Sequence, residues 1–192
     1  MSPDLDGIRR MATIIAEMKE FAGDPQAAIV ELELNQALRN TVEVSRPMWS
    51  RVLSIQLELE PELPSVRGAA HPMKQAFLNV LTNAVEAVAS QKRNSCGQLT
   101  IRTARADGGV EVTFSDDGPG IAPDLQDQIF DPFFTTKPLG QGTGQGLFVA
   151  YAIIVEQHGG RVRCESKPGQ GATFRIWLPI AAAHATRDER QS

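Results

Sequence analysis

Apolar residues recur along this chain with two different periods, and the switches between them mark out its elements. From residue 4 to 22, Ile8, Met11, Ile15, Met18 and Ala22 follow one another at three- and four-residue spacing, the stripe of an amphipathic helix. Gly23-Asp24-Pro25 ends it. Either this stripe packs on its own domain or it pairs with another helix or chain. Leu32 and Leu34 flank a short extended piece, and Asn35, a good N-cap residue, opens a helix expected to reach about Trp49. Ile55, Leu57 and Leu59 then alternate with Gln56, Glu58 and Glu60, as in a half-buried strand closed by Pro61 and Pro64. Val66 to Ala69 adds a short strand. A long helix is expected from about His71 to Gln91, with Phe77, Leu78, Leu81, Val85 and Val88 on one face.

The second half reads mostly as strands. Leu99 to Thr103 and Val110 to Phe114 form a hairpin about Asp107-Gly108-Gly109. Leu147 to His158 is helical and stops at Gly159-Gly160. Arg161 to Glu165 and Ala172 to Leu178 flank a turn at Lys167-Pro168-Gly169-Gln170-Gly171. The pattern predicts an α+β fold, a two-layer α/β sandwich whose mixed sheet carries helices on one face. The tail after Pro179 is Ala-rich, then charged, and is expected to fray from residue 181 onward.

Composition narrows the function classes. With 42% hydrophobic and 22% charged residues, the 192-residue chain has the make-up of a soluble globular protein. Nineteen Lys and Arg against 23 Asp and Glu leave a net charge of −4, which argues against a nucleic-acid surface. Cys96 and Cys164 stand in no metal-binding spacing and read as free thiols of a reducing cytoplasm. No apolar run approaches the ~20 residues of a membrane span, and the polar N-terminus carries no signal peptide. The expected location is cytoplasmic, and a membrane anchor elsewhere in a longer parent protein stays compatible with this.

Chemistry concentrates between Asp116 and Leu147. Asp116-Asp117-Gly118-Pro119-Gly120-Ile121 and Gly142-Thr143-Gly144-Gln145-Gly146-Leu147 are two glycine clusters, and glycine lets backbone N–H groups approach phosphate oxygens. The second cluster leads into a helix, whose N-terminus favours anions. Asp116 ends a strand, where its carboxylate either accepts a hydrogen bond from a ring amino group or simply organises the turn. Asn79, Asn83 and Glu86 share one face of the long helix. They form either a solvated stripe or a carboxamide wall able to serve Mg²⁺ and phosphate. Lys137 is a phosphate-reaching cation, aimed at the β- or γ-phosphate, or a solvated loop lysine. His158 is expected to cap its helix end and interact with the helix dipole. His71 precedes Pro72 near a helix start and has no nearby acid, and His184 lies in the tail.

Taken together these segments resemble the catalytic and ATP-binding domain of bacterial sensor histidine kinases, within the wider gyrase/chaperone/histidine-kinase/mismatch-repair ATPase superfamily and its Bergerat-type fold. Asn79-Val80-Leu81-Thr82-Asn83-Ala84 resembles the N box, Asp116 to Gly120 the G1 box, Phe130-Asp131-Pro132-Phe133-Phe134-Thr135-Thr136-Lys137 the F box, and Gly142 to Leu147 the G2 box. His158-Gly159-Gly160 and Gly169 to Phe174 are similar to the closing segments. The resemblance implies ATP between the asparagine helix and a lid over about 132–146. Asp116 would receive the adenine amino group, with Gly118, Gly120 and Ile121 around it. Asn83 with Asn79 would serve Mg²⁺ and the phosphates. Thr143, Gly144, Gln145, Gly146 and Leu147 would cradle the phosphates, and Thr173 would support adenine. Residues 1–24 resemble the end of a dimerisation and phosphotransfer helix, leaving 25–180 as the catalytic domain of a kinase whose parent is a homodimer.

The resemblance also carries departures and limits. Gln145 replaces a leucine common in the family, and Glu86 stands where many members carry a lysine or arginine. ATP-hydrolysing relatives place a glutamate at the position of Asn79, which cannot act as a base, so transfer is expected rather than hydrolysis. No histidine here stands beside an acid. The acceptor is therefore expected on a separate phosphotransfer domain, with a response regulator downstream. The alternatives are an anti-sigma-type serine kinase and a nucleotide sensor on the same fold.

Overall fold

The protein is described from a computed structural model, covering residues 28–137 and 143–180. The expected helix at 4–22, the tail from 181, and the part of the lid at 138–142 lie outside the described residues.

The elements run β1 (Ile29–Leu32), α1 (Leu34–Val44), α2 (Arg46–Trp49), β2 (Leu53–Glu58), β3 (Val66–Ala69), α3 (Ala70–Ser90), β4 (Gly97–Ala106), β5 (Gly109–Asp116), α4 (Gly146–Ala152), β6 (Arg161–Ser166) and β7 (Ala172–Pro179). Five strands form one sheet in the order β2-β4-β5-β7-β6, parallel between β2 and β4 and antiparallel elsewhere. β1 and β3 pair separately. The core lies between this sheet and the helices. Met73, Phe77, Val80, Leu81 and Ala84 of α3 are buried against Leu99, Ile101, Val112, Phe114, Phe174 and Ile176 of the sheet. That is the two-layer sandwich with a mixed sheet that the periodicity predicted.

Local chemistry explains most boundaries. Asp107-Gly108 closes the β4–β5 hairpin as a two-residue loop, because Ala106 pairs with Gly109 and Gly108 takes φ +65. The first helix departs from expectation. It ends at Val44 and restarts at Arg46, with Pro47 just inside the new helix, where a missing N–H breaks no helical bond. Asn35 is not its N-cap: Glu33 holds that position, and Asn35 lies inside the helix. Its amide serves a tertiary tie instead, donating to Glu60 O at 2.7 Å and accepting from the Thr103 hydroxyl at 2.9 Å.

The last helix departs too. After Ala152 it widens into a π-helical turn over Ile153–Gln157. Buried His158 explains the widening, since its Nδ1 meets Ile153 O at 2.7 Å and its Nε2 accepts Ala69 N–H at 3.0 Å. His158 therefore bridges β3 to the helix end, which goes beyond the expected capping. Gly159, at φ +62, then reverses the chain.

Candidate nucleotide-binding site

Three segments separated in sequence meet along one stripe of α3. Asn79, Asn83 and Ala87 are four residues apart, so they line up along the helix. Asn79 and Asn83 are half-buried. At one end, a Cβ on Gly146 would lie 3.9 Å from Asn79 Cβ, so the start of α4 faces the first asparagine. At the other end, a Cβ on Gly118 would lie 3.4 Å from Ala87 Cβ and 2.6 Å from Asp116 Oδ1. Glycine at 118 lets the turn pass between the aspartate and the helix. Asn79 Oδ1 accepts from Gln75 Nε2 at 3.1 Å, which fixes its rotamer.

Asp116 is buried at the end of β5, with 8% of its surface exposed. Its Oδ1 accepts N–H from Gly118 at 2.8 Å and from Ala172 at 3.4 Å. Its Oδ2 is buried and has no hydrogen-bond partner. Burial raises the Asp116 pKa above its ordinary 3.8, against backbone hydrogen bonds from Gly118, Ala172 and its own amide that lower it, and Asp117 adds to the rise. A buried carboxylate oxygen without a partner is uncommon and calls for a donor.

The turn that carries Asp116 is locked from the opposite side. Gly120 takes φ +73, and a Cβ there would lie 2.1 Å from Lys167 O. A Cβ on Gly171 would lie 1.9 Å from Asp116 O. Ile121 N–H donates to Ser166 Oγ at 2.8 Å, and Gly169 N–H donates to Pro119 O at 2.7 Å. The β6–β7 turn thus holds Asp116 in place, and Gly120 meets that turn. Asp117 also works structurally. Its carboxylate accepts from Gln98 N–H and pairs with Arg93 Nη1 at 2.6 Å.

Thr173 stands apart from these residues. Strand alternation puts it on the face of the sheet away from Asp116, where its hydroxyl meets Ser115 Oγ at 3.0 Å. Ala172, directly opposite Asp116, is the β7 residue at this site. Sequence reasoning missed Ala172, Ser166 and Gly171, because their contributions are a backbone N–H, a turn contact and a close approach. Cys164 is held as an inert thiol, pushed up to about 12 by burial and then by the charges of Asp116 and Glu165.

The F box and the second glycine cluster touch. Phe130 packs on Tyr151 of α4 and Phe174 of β7, with ring centroids 5.5 and 6.4 Å apart. Phe133 takes φ +65 and is exposed, and a Cβ on Gly144 would lie 2.5 Å from its carbonyl carbon. Only glycine fits there, at φ +66. Gln145 sits at the N-cap of α4 without a side-chain cap bond, and its carbonyl starts the helix by accepting Val149 N–H. Thr143 Oγ1 accepts Gln145 N–H at 3.4 Å, and Leu147 packs on the core. Lys137 is ion-paired with Glu86.

This architecture defines a class. Residues 68–182 match the family described as histidine kinase-, DNA gyrase B- and HSP90-like ATPases, and the chain belongs to that family. ATP binding follows from the family. The sensor histidine kinase ZraS of Escherichia coli K12 is 33% identical over 172 residues, covering 89% of this chain and 35% of that protein. The signal transduction histidine-protein kinase AtoS of the same organism is 35% identical over 180 residues, covering 92% and 28%. The chain thus spans about a third of the length of these curated relatives. Among solved structures, the catalytic domain of histidine kinase ThkA superposes with TM-score 0.69 at 29% identity, covering 80% of this chain and 96% of that one. Full-length ShkA in complex with AMPPNP gives 0.72 at 26%, covering 90% and 36%. The chain is a catalytic domain of the histidine-kinase type, and the serine-kinase and sensor alternatives are not favoured.

Proposed function

We propose that this chain is the phosphoryl-donor domain of a two-component sensor histidine kinase. In this reading the γ-phosphoryl group passes from ATP to an imidazole nitrogen on a phosphotransfer domain, leaving ADP. The observation that carries the assignment is the buried, unpartnered Asp116 Oδ2. It accepts the adenine amino hydrogen, while its own Oδ1 stays tied to Gly118 and Ala172. From there the nucleotide runs along Asn83 and Asn79 toward Gly144 and Gly146, whose backbone N–H groups take phosphate oxygens.

Mg²⁺ fits the carboxamide oxygens of Asn83 and Asn79, since a hard cation takes oxygen ligands and keeps several waters and phosphates. Bound there it would neutralise developing charge on the phosphates. Among the described residues no cluster of three His, Cys, Asp or Glu side chains offers a metal site, so the phosphates would complete the coordination. Asn79 offers no carboxylate to activate water, which favours transfer over hydrolysis. Lys137 supplies a phosphate-facing cation. A response regulator takes the phosphoryl group next, and the parent works as a homodimer.

Labelled ATP tests the reading. The chain alone should form no acid-labile phosphohistidine, and joining it to a histidine-bearing helical hairpin should produce one. Rapid hydrolysis by the isolated chain, or labelling of a serine in an added partner, would overturn it.

A further inference from the structure

Glu86 stands three residues beyond Asn83 and seven beyond Asn79, on the same side of α3. A carboxylate beside a polyanion site repels the ligand unless something neutralises it. Here the Lys137 ammonium does so, in a contact that joins segments 51 residues apart. Both side chains are partly exposed, at 44% for Glu86 and 33% for Lys137, so the pair contributes little to stability. Its consequence is positional. Lysine has a flexible four-carbon stem, and one carboxylate engages one of its three donors, leaving two for other oxygens.

The place along the helix matters. Ala87 abuts Gly118, which lies against Asp116, while Asn79 faces Gly146. At a rise of about 1.5 Å per residue, Glu86 lies ~4.5 Å beyond Asn83 and ~10.5 Å beyond Asn79, toward the Asp116 end. A lysine pinned there stands nearer the Asp116 end of the stripe than the Gly146 end, which in the reading above is the side of the inner phosphates.

We propose that Glu86 is a positioning residue that holds Lys137 against the inner phosphates, those common to ADP and ATP. This rests on reading Lys137 as a phosphate contact, and it moves that contact inward from the terminal phosphate.

Calorimetric titration of adenosine, ADP and Mg-ATP into wild type, E86Q, E86D, K137Q and E86Q/K137Q tests it. E86Q and K137Q should each weaken ADP and ATP by the same factor, about 5- to 10-fold, leaving adenosine and the ATP-to-ADP ratio unchanged. The double variant should be no weaker than K137Q, and E86D should recover most of the loss. Melting curves should match the wild type. An ATP-to-ADP ratio that changes in E86Q would overturn the inward placement. Unchanged or tighter nucleotide binding by E86Q, with K137Q weakened, would overturn the positioning role and leave the lysine contact standing. Unchanged binding by K137Q would overturn the lysine contact itself, and the proposal with it.

Discussion

Replacing Asp116 by Asn isolates the atom on which the site depends. Oδ1 accepts the Gly118 and Ala172 N–H groups, so an asparagine keeps its oxygen there and turns its NH₂ toward the position of Oδ2. That position has no partner in the fold, so nothing structural is lost. Nucleotide binding loses an acceptor and gains a donor facing a donor. A hydrogen bond to a charged group is worth about 1.5–3 kcal/mol, which corresponds to about a 10- to 150-fold weaker affinity for ATP. Stability moves the other way, because the substitution removes a carboxylate whose pKa burial has raised. Calorimetric titration with ATP, paired with thermal melting, reads both quantities. Unchanged affinity would refute the adenine assignment, and an unfolded variant would refute the claim that Oδ2 lacks a structural partner.

The same carboxyl makes binding and stability respond to pH in opposite senses. Because the folded pKa is raised, the stabilising share of Asp116 is complete below its ordinary 3.8 and is lost as pH rises through the folded value. ATP affinity, which needs the ionised form, should fall as pH drops through that raised value; a flat affinity down to the ordinary range would contradict the shift. Gly171→Ala should destabilise the fold by more than about 1 kcal/mol in urea titration, because it meets Asp116 O and needs a positive φ. His158→Ala should cost about 1–3 kcal/mol for the stranded Ala69 N–H, read by the same titration. Asn83→Ala should weaken Mg-ATP more than metal-free ATP, and equal losses would remove Asn83 from the metal.

The periodic elements were legible because each rests on local physics. The two-residue loop at Asp107-Gly108, the apolar face of α3 and the alternation of β7 need only chain geometry and burial. The details that no local pattern carries share another cause. Asn35 looks like a cap residue, yet its amide is taken by Glu60 and Thr103, both remote in sequence. The helix before Gly159 widens because His158 reaches back to Ile153 O and across to Ala69. Thr173 lies one residue from the site, and in a strand one residue is the other face.

By itself, the sequence determined the family, the order of the boxes and the aspartate at the strand end, since residue types and spacing encode them. Tertiary structure alone decided which groups converge. Asp116 Oδ2 stands buried without a donor only because the folded chain closes around the end of β5. Lys137 meets Glu86 of α3 only because the fold brings together residues 51 positions apart. Such contacts depend on chain segments tens of residues apart, and no local pattern carries that information.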